Sequence, residues 1–311
     1  MKKIFIITLL ATMSFMEMTA QQDPHYTQYM YNMNVMNPAY AGSKENLSGA
    51  LLYRQQWTGV DGAPKTATFS IHSPIGKNVG LGLSAISDKI GPVDESNVYA
   101  DVSYTLKLSE NQRLAFGIKA GVTFNKIGLF SDIGNGYVNQ LGDVAFSENT
   151  SNTYFNLGVG LFYYSKNYYI AASMPNMLKA TYLQVTDNGQ EYNFGTRTQH
   201  YFITGGYIFN LSPNTKFKPS FMLKSAVKSP VSLDVSANVL FFDKLEGGLT
   251  YRLDDSYGAM VNYAITPSIR IGYAYDHIIS DLKTSTQASH EFLLLFDLNF
   301  PKKVSISPRF F

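Results

Sequence analysis

The sequence predicts an all-β protein, a transmembrane antiparallel up-and-down β-barrel of about 14 strands. Three observations predict it: segments that alternate in polarity, a composition poor in charge and rich in aromatic residues, and connections whose lengths alternate along the chain. In such a barrel the short turns lie at the periplasmic end and the longer loops at the extracellular end.

Residues 113–124, RLAFGIKAGVTF, show the strand pattern clearly. The even positions from Leu114 to Phe124 are apolar, whereas the odd positions from Ala115 to Thr123 are small or polar, with Lys119 in their middle. A side-chain period of two puts the two sets on opposite faces of a strand. The apolar face would meet lipid in a membrane barrel, or a second sheet in a soluble sandwich, so this strand alone leaves both open.

The composition favours the membrane barrel. Hydrophobic residues make up 45% of the 311 residues and charged residues only 15%, where about 25% is usual. There are 22 Tyr and 21 Phe, which fits aromatic girdles at two membrane interfaces. The net charge of +2 is too small to indicate a nucleic-acid partner, and the absence of cysteine excludes disulfides and thiolate metal sites.

The first 20 residues have the form of a secretory signal peptide, with Lys2 and Lys3 before an apolar run and a small-residue cleavage site near Ala20. The apolar run is shorter than the ~20 residues that a membrane-spanning helix needs. We therefore expect cleavage and location in a Gram-negative outer membrane. The predicted organisation is a signal peptide (1–20), a periplasmic or plug-like lead-in (21–48), the barrel (49–300) and a periplasmic tail (301–311).

Fourteen segments are predicted to be strands. They are residues 49–56, 66–72, 79–87, 97–107, 113–126, 152–164, 168–174, 201–210, 216–227, 231–241, 245–253, 257–265, 269–277 and 290–298. Every long connection falls on the odd parity, namely 57–65, 88–96, 127–151, 175–200 and 278–289, whereas the even connections are short turns. Because sequential antiparallel strands put odd and even connections at opposite ends, this asymmetry is that of outer-membrane barrels.

No motif indicates an enzyme, a cofactor or a metal site. The sequence has no HExxH, nucleophile elbow, P-loop or Rossmann pattern. Asp276, His277 and Ser280 are near one another in sequence, but a hydrolase triad depends on geometry, and a solvated loop is the expectation. The acidic pairs at 94–95 and 254–255 could bind calcium, but solvated loop charges are the expectation. Four cations, Lys107, Lys119, Lys126 and Arg270, are expected in the lumen.

Residues 23–42, DPHYTQYMYNMNVMNPAYAG, are rich in Tyr, Asn and Met and show no strand alternation. They either pack in or under the barrel or dock a partner. Trp57 is either an interfacial anchor or a partner contact at the barrel mouth. The candidate partner-binding residues lie in this segment and in the odd connections: Tyr29, Tyr31, Asn37, Pro38, Tyr40, Trp57, Asp61, Asp254 and Asp281.

Several segments resemble the PorP/SprF family of outer-membrane proteins from the type IX secretion system of Bacteroidetes. They are residues 23–42, residues 54–75 (RQQWTGVDGAPKTATFSIHSPI), residues 251–282 (YRLDDSYGAMVNYAITPSIRIGYAYDHIISDL), residues 289–298 and the closing SPRFF. The resemblance covers nearly the whole mature chain in the same order, and residues 135–200 match only loosely.

The resemblance implies a non-enzymatic barrel of the secretion and gliding machinery that supports export or surface anchoring of an adhesin through the adhesin's C-terminal domain. The implied partners are that domain, membrane lipid and other machine components, either outer-membrane translocon or shuttle proteins or periplasmic ring lipoproteins. Three alternatives stay open: a porin or transporter for small or hydrophobic solutes, an outer-membrane enzyme, and a soluble β-sandwich.

Overall fold

Fourteen antiparallel strands close into a barrel, so the predicted fold class is confirmed. The computed structural model describes residues 25–44, 46–128, 150–187, 190–196, 198–226, 229–284, 286 and 288–298. The predicted signal peptide and C-terminal tail lie outside these residues.

The described strands follow the chain in order. They are β1 (Leu47–Gln55), β2 (Lys65–Pro74), β3 (Val79–Ile90), β4 (Val93–Lys107), β5 (Arg113–Ile127), β6 (Thr150–Tyr164), β7 (Tyr168–Met174), β8 (Thr181–Asp187), β9 (Gln190–Thr196), β10 (His200–Tyr207), β11 (Phe209–Ser212), β12 (Thr215–Ala226), β13 (Ser232–Phe241), β14 (Leu245–Arg252), β15 (Ser256–Thr266), β16 (Ile269–Ile278) and β17 (Ala288–Leu298). The helical elements are single turns: 3₁₀ turns at Tyr29–Tyr31, Pro38–Tyr40 and Asp281–Thr284, and α1 at Met33–Met36. Among these described helices, none is long and apolar enough to cross a membrane.

Each barrel strand pairs with its neighbours in sequence, and β1 pairs with β17 to close the sheet. The closing register runs from Leu47 opposite Leu298 to Gln55 opposite His290. β11 continues the line of β10 beside β12, and β8 and β9 form a separate hairpin. All fourteen predicted strands therefore have a counterpart, and the β8–β9 hairpin within the 175–200 connection was not predicted.

The two ends of the barrel differ as predicted. One end, here called the short-turn end, carries the connections 75–78, 108–112, 165–167, 213–214, 242–244 and 267–268. The opposite, long-loop end carries the longer connections, among them 56–64, 128–149, 175–199 and 279–287. The long connection predicted at 88–96 is wrong: β3 and β4 continue to a tight turn at Gly91, whose φ of 55° suits glycine. The acidic residues 94 and 95 consequently lie on β4.

The alternation of β5 is confirmed. Ile118 is 62% exposed on the outer face, whereas Lys119 is completely buried in the lumen. Arg270 also occupies a lumen-facing position. Lys107 occupies a lumen-facing position too, but it lies at the short-turn end and is exposed there. The prediction for Lys126 is wrong: it lies seven positions after Lys119, an odd offset that puts it on the opposite, outer face, where it is exposed.

The register of β4, β5 and β6 marks the height of the apolar band. Outward rows run from Val98–Val122–Phe155 near the long-loop end to Leu106–Leu114–Tyr163 at the short-turn end. These rows span about 27 Å along tilted strands, or about 20 Å along the barrel axis, close to the usual ~25 Å band. The next outward row toward the long-loop end, Ser96–Phe124–Thr153, is mixed, and the row after it, Asp94–Lys126–Ser151, is polar. These three strands, each of 15 residues, therefore continue beyond the band.

The interior is filled by residues 25–44, here called the plug. Twenty-two buried hydrophobic residues form one cluster, and the plug contributes eight of them, including Tyr29, Met30 and Met33. The wall glycines make room for it. A Cβ at Gly117 would overlap the backbone of Ala39, and one at Gly160 would overlap the side chain of Asn37. At these two positions the plug therefore requires glycine on the inner face.

An arginine in the apolar band should destabilise the barrel. Ile118→Arg lies in the middle outward row and is expected to lower the free energy of unfolding by about 2–4 kcal/mol, because it puts a charge at the bilayer centre. The matched control Ser151→Arg, in the polar row beyond the band, should cost about 0–1 kcal/mol. Denaturant unfolding of the protein in lipid vesicles measures both. Equal costs would contradict the assigned band.

A second prediction concerns the contact between wall and plug. Gly117→Ala should destabilise the protein by about 1–3 kcal/mol, because its Cβ overlaps the plug backbone. Gly247→Ala is the control, since a Cβ there meets no atom within 4 Å. Hydrogen exchange of the plug amides, measured with the free energy of unfolding, should rise in the first variant only. Unchanged exchange in both variants would show that the plug does not press against β5.

Candidate functional site

The plug runs along the lumen from the long-loop end to the short-turn end. Thr27 lies against Arg54, one residue before the end of β1, whereas Lys44 pairs with Asp297 near the end of β17 at 3.7 Å. The plug makes its backbone hydrogen bonds in short turns rather than with a neighbouring strand. Asn37, for example, accepts a hydrogen bond from the Ala39 N–H at 2.9 Å, and Pro38 follows it at the first helical position.

Near the long-loop end the plug is held by the Glu291 clamp, formed by Arg54, Asp276 and Glu291. The Arg54 guanidinium lies 2.7 Å from the Asp276 carboxylate and 3.2 Å from that of Glu291. Glu291 accepts the backbone N–H groups of Thr27 and Gln28 at 2.9 and 2.8 Å. The Thr27 hydroxyl donates to Asp276 at 2.6 Å and accepts from Arg54 at 2.9 Å. The clamp therefore recognises the plug through its backbone and one hydroxyl.

Near the short-turn end the plug is held by the Glu246 clamp, formed by Lys218 and Glu246 around Tyr31. The Tyr31 hydroxyl donates to Glu246 at 2.6 Å, and Lys218 lies 3.0 Å from both carboxylate oxygens. The Lys218 ammonium also lies 5.0 Å from the centre of the Tyr31 ring, within cation–π range. Lys218 and Glu246 are fully buried, and Tyr31 completes their polar cluster.

A third contact, the Asp101 clamp, holds the middle of the plug. The Lys119 ammonium pairs with Asp101 at 2.9 Å, and neither side chain is exposed. Lys119 also donates to the Asn34 carbonyl oxygen and to Ser84, at 3.4 and 3.3 Å. The Asn34 amide donates to Asp101 at 3.4 Å. Lys119 and Asp101 both belong to the wall, and Asn34 of the plug supplies the further hydrogen bonds that a buried ion pair needs.

His25, the first described residue, adds no charge at the long-loop end. Burial, and next the positive charge of Lys224, hold the pKa of His25 well below its usual value. The neutral imidazole is consistent with its position beside Arg54 and Arg252, where a further cation would be repelled.

Five of the candidate partner-binding residues lie inside the lumen. Tyr29 donates to Ser220 at 3.0 Å, and the Asn37 amide donates to the Leu161 carbonyl oxygen at 3.0 Å. The Tyr40 ring packs edge-on against His72 and Phe162. With Tyr31 and Pro38 these residues are buried against the barrel wall. Partner binding by them stays a prediction, and the contacts in this structure are with the wall.

The other four lie at the long-loop end and are not brought together with the first five. Trp57 is half-buried with a left-handed φ of 49°, and its backbone N–H donates to the Ser289 hydroxyl at 3.2 Å. Asp61, Asp254 and Asp281 are exposed in three separate connections. The candidate residues thus divide into a lumen group and a mouth group.

Sequence reasoning missed most of the residues that hold the plug: Arg54, Asp101, Lys218, Glu246, Asp276 and Glu291. A signal was present, because each is a charged residue on the inner parity of its strand. Which of these residues pair with one another could not be predicted from the sequence, since Arg54 and Glu291, for example, are separated by 237 positions.

The described residues do not assemble an obvious catalytic or metal site. Within them no group of three or more His, Asp or Glu side chains is arranged to hold a metal ion. Asp276 faces inward and pairs with Arg54, whereas His277 has the opposite parity and packs against Tyr257. Asp276, His277 and Ser280 therefore do not form a triad, despite their proximity in sequence.

Solved outer-membrane barrels share the fold. The chain resembles the CymD monoaromatic hydrocarbon channel with a TM-score of 0.51 and 10% identity, covering 85% of this chain and 91% of that one. It resembles the toluene transporter TodX of P. putida with a TM-score of 0.50 and 11% identity, covering 88% and 95%. At these identities the likeness concerns the fold alone.

No curated protein matches the sequence. The family model for the type IX secretion system membrane protein PorP/SprF matches residues 18–296, which include the plug and the described barrel except its last two residues. The chain therefore belongs to the PorP/SprF family of type IX secretion system membrane proteins.

Proposed function

We propose that this outer-membrane barrel is a non-enzymatic scaffold that supports export or surface anchoring of a secreted adhesin through the adhesin's C-terminal domain. The observation that carries the proposal is the filled lumen: residues 25–44 are buried there and held by three ion-pair clusters. A barrel plugged in this way offers its two ends, rather than its interior, to large partners.

The long-loop end supplies the surface for the adhesin. It combines the extension of β4–β6 beyond the apolar band with the β8–β9 hairpin and the exposed carboxylates of Asp61, Asp254 and Asp281. The loops beside Trp57 are braced, because Thr58 donates its N–H to the Ala288 carbonyl oxygen at 2.9 Å. Loops fixed by such hydrogen bonds are better suited to binding a protein partner than to moving as a lid.

The short-turn end supplies the surface for other secretion components. Affinity purification of the tagged protein in detergent identifies these components by co-elution. They are either outer-membrane translocon or shuttle proteins or periplasmic ring lipoproteins. An adhesin in the eluate supports the anchoring role, and ring lipoproteins support a role within the core machine.

The alternative function, a porin or transporter for small or hydrophobic solutes, needs a continuous path past the plug. Planar-bilayer recording should show no steady conductance, because the plug fills the lumen. Thr27→Glu should produce conductance, since a third carboxylate beside Asp276 and Glu291 repels the plug. Steady conductance of the unmodified protein would favour the porin.

Loop replacement tests the adhesin surface. Substituting a short Gly-Ser linker for residues 178–198 should abolish surface retention of the adhesin, because it removes the β8–β9 hairpin but no barrel strand. The matched control inserts the same linker after Gly76 in a turn at the opposite end. Retention is measured by labelling adhesin on intact cells. Retention that survives the replacement would overturn the anchoring proposal.

A further inference from the structure

A cavity of about 490 Å³ opens at the short-turn end, between the plug and the wall formed by β14–β17. Here it is called the vestibule. Its lining comprises Tyr31, Lys44, Asn46, residues 242–244, residues 264–270, Leu295 and Asp297. Its volume lies within the range of about 300–1,000 Å³ that is typical of ligand pockets.

The vestibule belongs to the lumen rather than to the lipid-facing surface. Tyr31 and Lys44 come from the plug, and Ala264, Arg270 and Leu295 occupy inward positions on their strands. The apolar band lies on the opposite face of these strands. A ligand therefore enters from the aqueous side of the short-turn end.

Its charges favour an anion. Five cationic side chains lie in or directly behind the vestibule, against three carboxylates, which leaves an excess of two positive charges. Asp243 is neutralised by Lys216 at 2.5 Å, and Asp297 lies 3.7 Å from Lys44. Glu246 is already held by Lys218 at 3.0 Å. Each carboxylate thus has a lysine partner, and the two remaining positive charges are those of Lys244 and Arg270.

Arg270 has hydrogen-bond donors to spare. Its guanidinium makes two contacts, to Glu246 and to the Asp243 carbonyl oxygen, each at the long distance of 3.4 Å. A guanidinium has five N–H donors in a planar fork that matches a carboxylate. Lys244 is exposed at the rim, and among the described residues its side chain makes no ion pair or hydrogen bond.

The lining also has an apolar part. Its inward-facing members are Ala264 and Leu295, with the ring of Phe242 at the rim, whereas Ile265 and Ile269 border the vestibule from outward positions beside the turn at 267–268. Phe242 is 68% exposed and has a left-handed φ of 51°, so it is held out from the turn rather than packed into the wall. The pocket therefore pairs a cationic corner with an apolar floor.

We infer that the vestibule binds an apolar polypeptide segment that carries a carboxylate, with Arg270 and Lys244 receiving the carboxylate and the floor receiving the apolar side chains. This inference rests on the proposed scaffold function, which it deepens by giving the chemistry of a partner at the short-turn end. A peptide fits the aqueous entrance and the mixed lining together.

The test uses the full-length protein in nanodiscs and a fluorescein-labelled pentapeptide of leucine and alanine with a free C-terminal carboxylate. Fluorescence anisotropy should show saturable binding that weakens as ionic strength rises. The same peptide with a C-terminal amide should bind about tenfold more weakly, because it cannot form the charge-assisted pair. Empty nanodiscs give the background from lipid.

Variants then locate the site. Arg270→Gln should weaken binding about tenfold, and Lys244→Gln, in an exposed turn that tolerates the change, should weaken it severalfold. Lys166→Gln, in another short turn at the same end, is the matched control and should leave binding unchanged. Equal binding of acid and amide peptides, or equal affinity of Arg270→Gln and Lys166→Gln, would overturn the inference.

The two proposals fail separately. If the full-length protein does not bind the peptide but cells still retain the adhesin, the vestibule is not a peptide site and the proposed scaffold function is unaffected. Peptide binding by a protein that retains no adhesin and co-elutes with no secretion component would remove the scaffold function instead.

Discussion

Closure of the sheet by β1 and β17 is the interaction on which the rest of the molecule depends. Nine residue pairs, from Leu47 opposite Leu298 to Gln55 opposite His290, join the two ends of the barrel. In lipid an unpaired sheet edge has no water to satisfy it, so the strands are stable only as a closed ring. Closure also separates an outer face that must be apolar from an inner face that can hold charge. The same pair of strands supplies Arg54 and Glu291, so closing the ring also assembles the clamp that holds Thr27.

The inner face holds its charges by compensation. Lys119, Lys218 and Arg54 are each fully or almost fully buried, and each has a carboxylate within 3.2 Å. A buried pair needs further hydrogen bonds for its remaining donors and acceptors. The plug provides them through the Thr27 and Gln28 N–H groups, the Tyr31 hydroxyl and the Asn34 carbonyl oxygen. The plug therefore satisfies the hydrogen bonds of the buried wall charges. Charges on the inner face, which could line an aqueous pore, here bind the segment that fills the lumen.

The barrel could be predicted from the sequence because its signal is local. The alternation around Ile118 and Lys119 fixes a face within a few residues, and turn residues mark most strand ends. The charge of Lys126 suggests the lumen, whereas its parity puts it on the outer face beyond the apolar band. The turn at Gly91 carries little signal because the two strands that it joins are longer than a membrane requires. The plug could be expected only as a segment of unusual composition. Its conformation is set by residues such as Glu246 and Glu291, which lie more than 200 positions away and leave no periodic pattern in residues 25–44.

The Glu291 clamp also has a consequence for assembly. Thr27 belongs to the first described part of the chain and Glu291 to the last strand, with 264 positions between them. A nascent barrel that lacks β17 has an open edge on β1, and it also lacks the carboxylate that receives the plug. Closure of the ring and retention of Thr27 thus depend on the same strand. A chain truncated before β17 would show both defects together, an unpaired edge on β1 and an N-terminal segment without its carboxylate partner.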